Sequence, residues 1–216
     1  MGPAMRLILI GPPGGGKGTQ AKLLRKKFNL CHIATGDLLR EAVKLDTPAG
    51  RLARPLVAQG GLVPDDLVNE MIAERFRRDD RPERFVMDGY PRTLAQVAAF
   101  EQVLRQQYLD LTAVLLISVD DEEIVQRLSG RRYCPKCQAT YHIRHKPPRI
   151  ADRCDECGAA LVQREDDMEA TVRRRLAVYH RNTADLLDHY RRQNLVREVD
   201  GSGAIETVFS RIENVL

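Results

Sequence analysis

No stretch of this chain is apolar for the ~20 residues that crossing a bilayer requires. The short apolar run Met5–Ile10 leads straight into glycines where an export signal would continue. The expectation is a soluble, cytoplasmic protein with no membrane partner. Internal repeats and low-complexity tracts are missing as well. Net charge is small, formally +4 over 216 residues, so the concentrated basic footprint of a nucleic-acid reader is not there. Lysine is scarce, since 27 of the 34 basic residues are arginine. Arginine's planar fork pairs bidentately with phosphate oxygens, but codon bias gives the same excess, so only arginines in motif positions carry weight. Met1–Ala4 match no element.

What is present is ordinary for a globular protein, with 43% hydrophobic and 30% charged residues. The length suffices for one substantial core with small insertions. Arg6–Ile10 is a leucine and isoleucine run ended by glycines, as a buried strand should be, and Phe85–Met87 and Ala113–Ser118 have the same character. Helices are expected over Gly16–Phe28 and Glu169–Gln193, the latter free of Gly and Pro. Short apolar strands alternating with helices imply an α/β fold in three layers, a parallel sheet flanked by helices. Two segments break the alternation. Residues 34–63 are mostly helical, and 130–167 hold four cysteines, Pro147-Pro148 and many charges. Both look like insertions into a core formed by 1–33, 64–129 and 168–216.

Between the first strand and the first helix lies Gly11-Pro12-Pro13-Gly14-Gly15-Gly16-Lys17-Gly18-Thr19. Backbone amides of such a loop converge on phosphate oxygens only when side chains are out of the way, and the following helix adds the positive end of its dipole. Lys17 supplies a point charge to the β/γ region of a nucleoside triphosphate. The general pattern has Ser or Thr directly after the lysine to hold Mg²⁺, and here Gly18 stands there with Thr19 next. That argues against direct metal ligation by the loop. Asp88 follows the Phe85–Met87 run, and a carboxylate at a strand's C-terminal end faces the ligand crevice. It can hold Mg²⁺ directly or through water, although by itself it could equally be a turn aspartate before Gly89.

Cys134-x-x-Cys137 and Cys154-x-x-Cys157, sixteen residues apart, have the spacing of a four-cysteine zinc site. Four thiolates close a tetrahedral shell and leave no position for water, so the metal would be structural. Two disulfides are the alternative, disfavoured by a reducing compartment. His142 and His145 are not needed as ligands and are expected at the surface or in packing. Cys31 is expected to be a buried, unliganded thiol. Arg127 and Arg131, spaced i,i+4, share one helical face if a helix extends that far.

The loop spelling G-x-P-G-x-G-K-G-T-Q resembles that of nucleoside monophosphate kinases, the adenylate kinase family above all. Thr35-Gly36-Asp37-Leu38-Leu39-Arg40, Gly61-Leu62-Val63-Pro64-Asp65 and Asp88-Gly89-Tyr90-Pro91-Arg92-Thr93 with Gln96 follow in the order that family shows. The resemblance implies a P-loop fold with a helical monophosphate-binding insertion and, as in many bacterial members, a zinc-binding lid. It implies ATP contacts at Gly14, Gly15, Gly16, Lys17, Gly18, Thr19, Arg127, Arg131, Thr140, Tyr141 and Gly203. For AMP it implies Thr35, Arg40, Gly61, Leu62, Val63, Gly89, Arg92, Gln96, Arg164 and Arg175, with Gln96 reading the adenine edge. Lys17, Asp88, Arg92, Arg127, Arg131, Arg164 and Arg175 would serve catalysis, with Mg²⁺ accompanying ATP, a structural Zn²⁺ on the four cysteines, ADP as the reverse substrate and a monomeric state. Neighbouring Arg132, Arg173 and Arg174 are expected to be solvated or structural. Two other readings stay open, a kinase of UMP or CMP and a zinc-ribbon ATPase that binds nucleic acid. The modest charge and the D-G-Y-P-R-T run stand against the second.

Overall fold

In a strand that is buried on both faces, successive side chains must be apolar in both directions. The computed structural model shows this for β1 (Arg6–Ile10): Ile8 and Ile10 join one hydrophobic cluster while Leu7 and Leu9 join another on the opposite face. The structure describes residues 4–59 and 61–216, so the first three residues, expected to match no element, lie outside it. Beside β1 run β3 (Phe85–Asp88) and β4 (Ala113–Ser118), with β2 (Cys31–Ala34) outside β3 and β7 (Val196–Asp200) outside β4. All four pairings are parallel. This is the three-layer α/β arrangement that the alternating pattern implies.

Register decides where the chemistry falls. Asp88 pairs with Leu9 on one side and Ala34 on the other, and Ser118 pairs with Asp200. The segments that leave the C-terminal ends of these strands therefore share one edge of the sheet: the glycine loop, Thr35, Gly89 and Gly201. In parallel sheets that edge is where ligands bind.

Helices cover both faces. On one, α4 (Asp65–Arg77), α5 (Leu94–Gln106) and the long α7 (Glu169–Arg192) enclose a cluster whose centre is aromatic. Phe100 meets Phe76, Phe85 and Tyr90 edge-on at centroid distances of 5.8, 6.1 and 5.5 Å, the geometry that ring quadrupoles favour. On the other face, α1 (Lys17–Phe28) and α8 (Ile205–Val215) pack against Leu7, Leu9 and Leu115. Lys27 ties these two helices by pairing with Glu213 while lying over the Phe28 and Phe209 rings.

Residues 34–63 hold α2 (Thr35–Lys44) and α3 (Pro48–Ala58). Thr47 caps α3 by accepting from the Gly50 amide. The cysteine-bearing segment follows α6 (Asp121–Ser129) and carries a two-stranded antiparallel ribbon, β5 (Arg131–Tyr133) and β6 (Thr140–His142). Here one expectation is corrected. The helix stops at Ser129, and Arg131 opens β5, so Arg127 and Arg131 do not share a helical face. Gly130 is the C-cap of the helix, and a side chain there has no room, because the His142 ring lies 2.3 Å from where a Cβ would stand. Cys31 is corrected too, being half-buried, with Arg75 Nη2 3.8 Å from its sulfur. Among the described residues no helix is long and apolar enough to cross a membrane.

Phe100 is fully buried at the meeting point of three rings. Truncating it leaves a cavity that rigid neighbours cannot close. Phe100→Ala should lower the free energy of unfolding by about 3–5 kcal/mol, read from urea titrations with an unchanged denaturant slope.

Candidate active site

The glycine loop delivers α1 with Gly16 as its N-cap, a residue with no side chain to cap the first-turn amides. Those amides and the helix dipole face the sheet edge and favour an anion. Lys17 folds back over the loop, and its Nζ donates to the carbonyls of Gly11 and Pro12 at 2.7 Å each. The ammonium thus sits over the loop. Thr19, two residues on, is exposed.

Asp88 ends β3 directly opposite. A Cβ on residue 18 would stand 3.2 Å from Asp88 Oδ2, tighter than ordinary van der Waals contact. The glycine after the lysine therefore has a packing reason, because it lets a carboxylate approach the start of the phosphate helix. His32 Nε2 lies 3.5 Å from the same oxygen, too long for a strong hydrogen bond. Burial alone would raise the Asp88 carboxyl. The His32 contact and the charges of Lys17 and Arg92 outweigh that and hold it below its ordinary value.

The cations form one field. Burial pulls Lys17 down, Asp88 partly opposes this, and Arg92, Arg175 and Arg131 add repulsion, leaving it at about 8. Burial holds Arg92 below its ordinary value, with Arg175 and Arg40 adding repulsion, and burial does the same to Arg175, where Arg131 and Arg40 repel while Asp166 and Asp167 oppose. Arg164 is lowered by burial and by Arg40 and Arg131. A guanidinium does not give up its proton at neutral pH, so these shifts express a demand for negative charge. Six of the cations expected from sequence are thus brought together: Lys17, Arg40, Arg92, Arg131, Arg164 and Arg175. Arg127 stands apart, pairing with Glu123 and donating to the Gly201 carbonyl at 3.1 Å.

Carboxylates that the sequence reading passed over fix this cluster. Arg131 holds Asp167 bidentately, Nε and Nη2 donating to its two carboxylate oxygens at 2.7 and 2.5 Å, and Asp167 is fully buried. Arg175 Nη1 donates to Asp166 Oδ2 at 2.9 Å. Arg164 lies over the Tyr133 ring, 4.3 Å from its centroid. The Asp166-Asp167 pair lies two residues beyond Arg164, and that adjacency was the available signal.

On the β3 side, Gly89 has φ +81°, and a Cβ there would meet Arg92 Nη2 at 2.9 Å and Thr35 Oγ1 at 3.2 Å. Only glycine accepts both the left-handed backbone and the crowding. Thr35 Oγ1 donates to the Gly89 carbonyl at 2.9 Å, and Arg92 Nε donates to it at 2.7 Å. Gln96 is buried, and each end of its amide has one protein partner. Its Oε1 accepts from the Arg92 amide at 2.8 Å and its Nε2 donates to Asp65 Oδ1 at 2.7 Å. Asp65, which also receives Thr93 Oγ1 at 2.7 Å, is a further residue missed, although it ends the Gly61–Asp65 run already singled out. Gly61 and Leu62 are half-buried and Val63 is buried.

The four cysteines converge, their sulfurs within 4.8 Å of one another. Cys134 and Cys157 sulfurs are 3.5 Å apart and Cys137 and Cys154 sulfurs 3.4 Å, far beyond the ~2.05 Å of a disulfide. A tetrahedral shell with metal–sulfur bonds of ~2.3 Å has edges of ~3.8 Å, so the donor set fits zinc. Tyr141 is buried among them, and its hydroxyl, 3.5 Å from Cys154 Sγ, holds that thiol below its ordinary value. Thr140 is exposed beside it. His142 and His145 stack on each other at 4.5 Å, outside the sulfur cluster.

A family model described as adenylate kinase matches residues 9–195. An adenylate kinase of Clostridium botulinum (strain 657 / Type Ba4) is 45% identical over 212 residues, 98% of each chain. Those of Moorella thermoacetica and Thermoanaerobacter sp. (strain X514) are 46% and 43% identical over the same share of both chains.

Burial lowers Lys17 to about 8 in the free protein, so the affinity of this site for an anion that pairs with its ammonium should fall as pH rises through that value. Calorimetric ATP binding should weaken by up to about tenfold per pH unit above it, and Lys17→Met should abolish the step. A flat profile in the wild-type protein would show that Lys17 does not change charge over this range.

Proposed function

The chain belongs to the adenylate kinase family, a family of nucleoside monophosphate kinases, and from that premise we propose that it catalyses reversible, Mg²⁺-dependent transfer of the γ-phosphoryl group of ATP to AMP, giving two ADP. The observation that carries this reading is the single field of Lys17, Arg92, Arg131 and Arg175 around Asp88 at the C-terminal edge of the sheet. Two polyphosphorylated nucleotides bring the negative charge that this field favours.

The acceptor phosphate of AMP attacks the γ-phosphorus in line. A new P–O bond forms to the AMP phosphate oxygen as the bond to the β–γ bridging oxygen breaks, and ADP departs with that oxygen. The attacking oxygen is already ionised at neutral pH, so no general base and no phospho-enzyme is needed. Positioning and charge neutralisation supply the catalysis. Lys17 and the loop amides of Gly14–Thr19 hold the donor phosphates, Arg127 and Arg131 adjoin them, and Thr140, Tyr141 and Gly203 line the rest of the ATP site. Thr35, Arg40 and Arg92, with Gly61–Val63 and Gly89, hold AMP, while Arg164 and Arg175 bridge to the transferring group. Gln96, pre-set by Asp65, reads the adenine. Asp88 would hold Mg²⁺ directly or through water, an ion that neutralises β- and γ-phosphate oxygens when bound.

Segments 34–63 and 130–167 would close over the core as two flaps and exclude water that could otherwise take the phosphoryl group. The second segment has a small apolar centre of Cys134, Tyr141, Cys154 and Leu161, and zinc on the four thiolates would supply the folding energy that so small a centre lacks. The enzyme would act as a cytoplasmic monomer.

A coupled assay with ATP and each nucleoside monophosphate should show AMP as the preferred acceptor, with UMP and CMP poor. Arg92→Ala or Lys17→Ala should lower kcat by about 10²-fold or more with little change in melting temperature; near-wild-type turnover in either variant refutes the assignment. For the metal, Cys154→Ser should lower the melting temperature and release bound zinc while residual activity persists. Elemental analysis that finds no transition metal in the purified protein sinks that part.

A further inference from the structure

The segment between β7 and α8, Gly201-Ser202-Gly203-Ala204, has two glycines in four residues and would be mobile if nothing restrained it. It is not left free. Arg211, one turn before the end of α8, reaches back and donates from Nη1 to the carbonyls of Asp200 at 2.9 Å and Ser202 at 2.8 Å. The same nitrogen lies 3.0 Å from Asp200 Oδ2. The other carboxylate oxygen, Oδ1, accepts from the Ser202 amide at 2.9 Å and the Ser202 hydroxyl at 2.7 Å. Arg127 takes the Gly201 carbonyl, and Gln20, buried in α1, donates to the Ile205 carbonyl at 3.1 Å. Three consecutive carbonyls are thus claimed by two guanidinium groups. Gly203 takes part in none of these bonds, has φ +93°, and has open space where a Cβ would stand.

We infer that Arg211 is a positioning residue for the base of the donor nucleotide, fixing the Gly201–Ala204 loop in a shape that presents the Gly203 backbone to the purine. This rests on the reading that Gly203 lines the ATP site. A four-residue loop ordered in advance spares the ligand the entropy of ordering it. A backbone edge with its carbonyl available accepts from an amino group, which adenine offers at its six-position, and meets unfavourably the carbonyl that guanine carries there. Arg211 spends its Nη1 contacts on the loop carbonyls of Asp200 and Ser202 and on the Asp200 carboxylate, so its effect should fall on donor affinity and base choice. One nitrogen, Nη1, meets two carbonyls and a carboxylate at once, and the rigid guanidinium plane fixes its direction, which a lysine ammonium on a flexible stem reproduces only in part.

The test compares wild type, Arg211→Ala and Arg211→Lys. Arg211→Ala should raise KM for ATP by about tenfold and shrink the preference for ATP over GTP by a similar factor. KM for AMP, kcat at saturating ATP and the melting temperature should stay near wild type, and Arg211→Lys should fall between. Unchanged ATP KM and ATP/GTP preference in Arg211→Ala overturn the inference. So does a general loss in which both KM values, kcat and melting temperature move together, because that marks a merely structural arginine. Equilibrium binding of ATP and GTP to the same three proteins needs no turnover. If wild type binds ATP over GTP, and Arg211→Ala does not, while no transfer to AMP occurs, the functional reading fails and the loop assignment stands.

Discussion

Like charges forced into one low-dielectric edge repel one another, and this constraint organises the rest of the molecule. Lys17, Arg92, Arg164 and Arg175 all feel the charge of neighbouring cations, Arg40 and Arg131 among those neighbours. The fold tolerates them because carboxylates are placed among them: Asp167 fully buried under Arg131, Asp166 against Arg175, Asp88 across from Lys17. Breaking a buried pair by removing one member leaves an uncompensated charge, which costs far more than losing a surface ion pair. The buried acids therefore hold the cations at fixed positions ready for an anion, and the field is pre-organised rather than assembled by the ligand.

The same economy of space explains the glycine that follows the phosphate-loop lysine. Where a hydroxyl side chain would be expected, the chain has nothing, and the vacant position admits Asp88 Oδ2 at close range. The carboxylate comes from the end of β3, the strand next to β1 in the sheet. What looks in one dimension like a missing hydroxyl is in three dimensions room for an oxygen that arrives from a neighbouring strand.

The motifs were legible because each is a local requirement: glycines where a backbone must approach phosphate, paired cysteines where two knuckles meet. The central strands were legible because their apolar runs admit no other reading. β2 and β7 were not, because Cys31–Ala34 is short and only Ile33 within it is buried, while Val196–Asp200 alternates with charge on an outer strand. The supporting acids were hidden for a different reason. Asp65, Asp166 and Asp167 act through partners that lie up to 36 residues away along the chain, so their adjacency to Val63 and Arg164 marked the neighbourhood but did not name the partner. Arg127 and Arg131 show the opposite error, where regular spacing suggested a shared face and Gly130 broke the helix between them.

The position of β1 at the centre of the sheet has a consequence for the life of the nascent chain. Arg6 bonds to Thr112, 106 residues later, and β1 completes its two ladders only once β3 and β4 exist. During synthesis at ≈ 5–20 residues per second, the Leu-Ile-Leu-Ile segment must wait several seconds with both faces uncovered. This strand is thus satisfied only when Thr112 and β4 have been made, and until then the apolar segment that the folded enzyme buries in the middle of its sheet stays without one of its two neighbours.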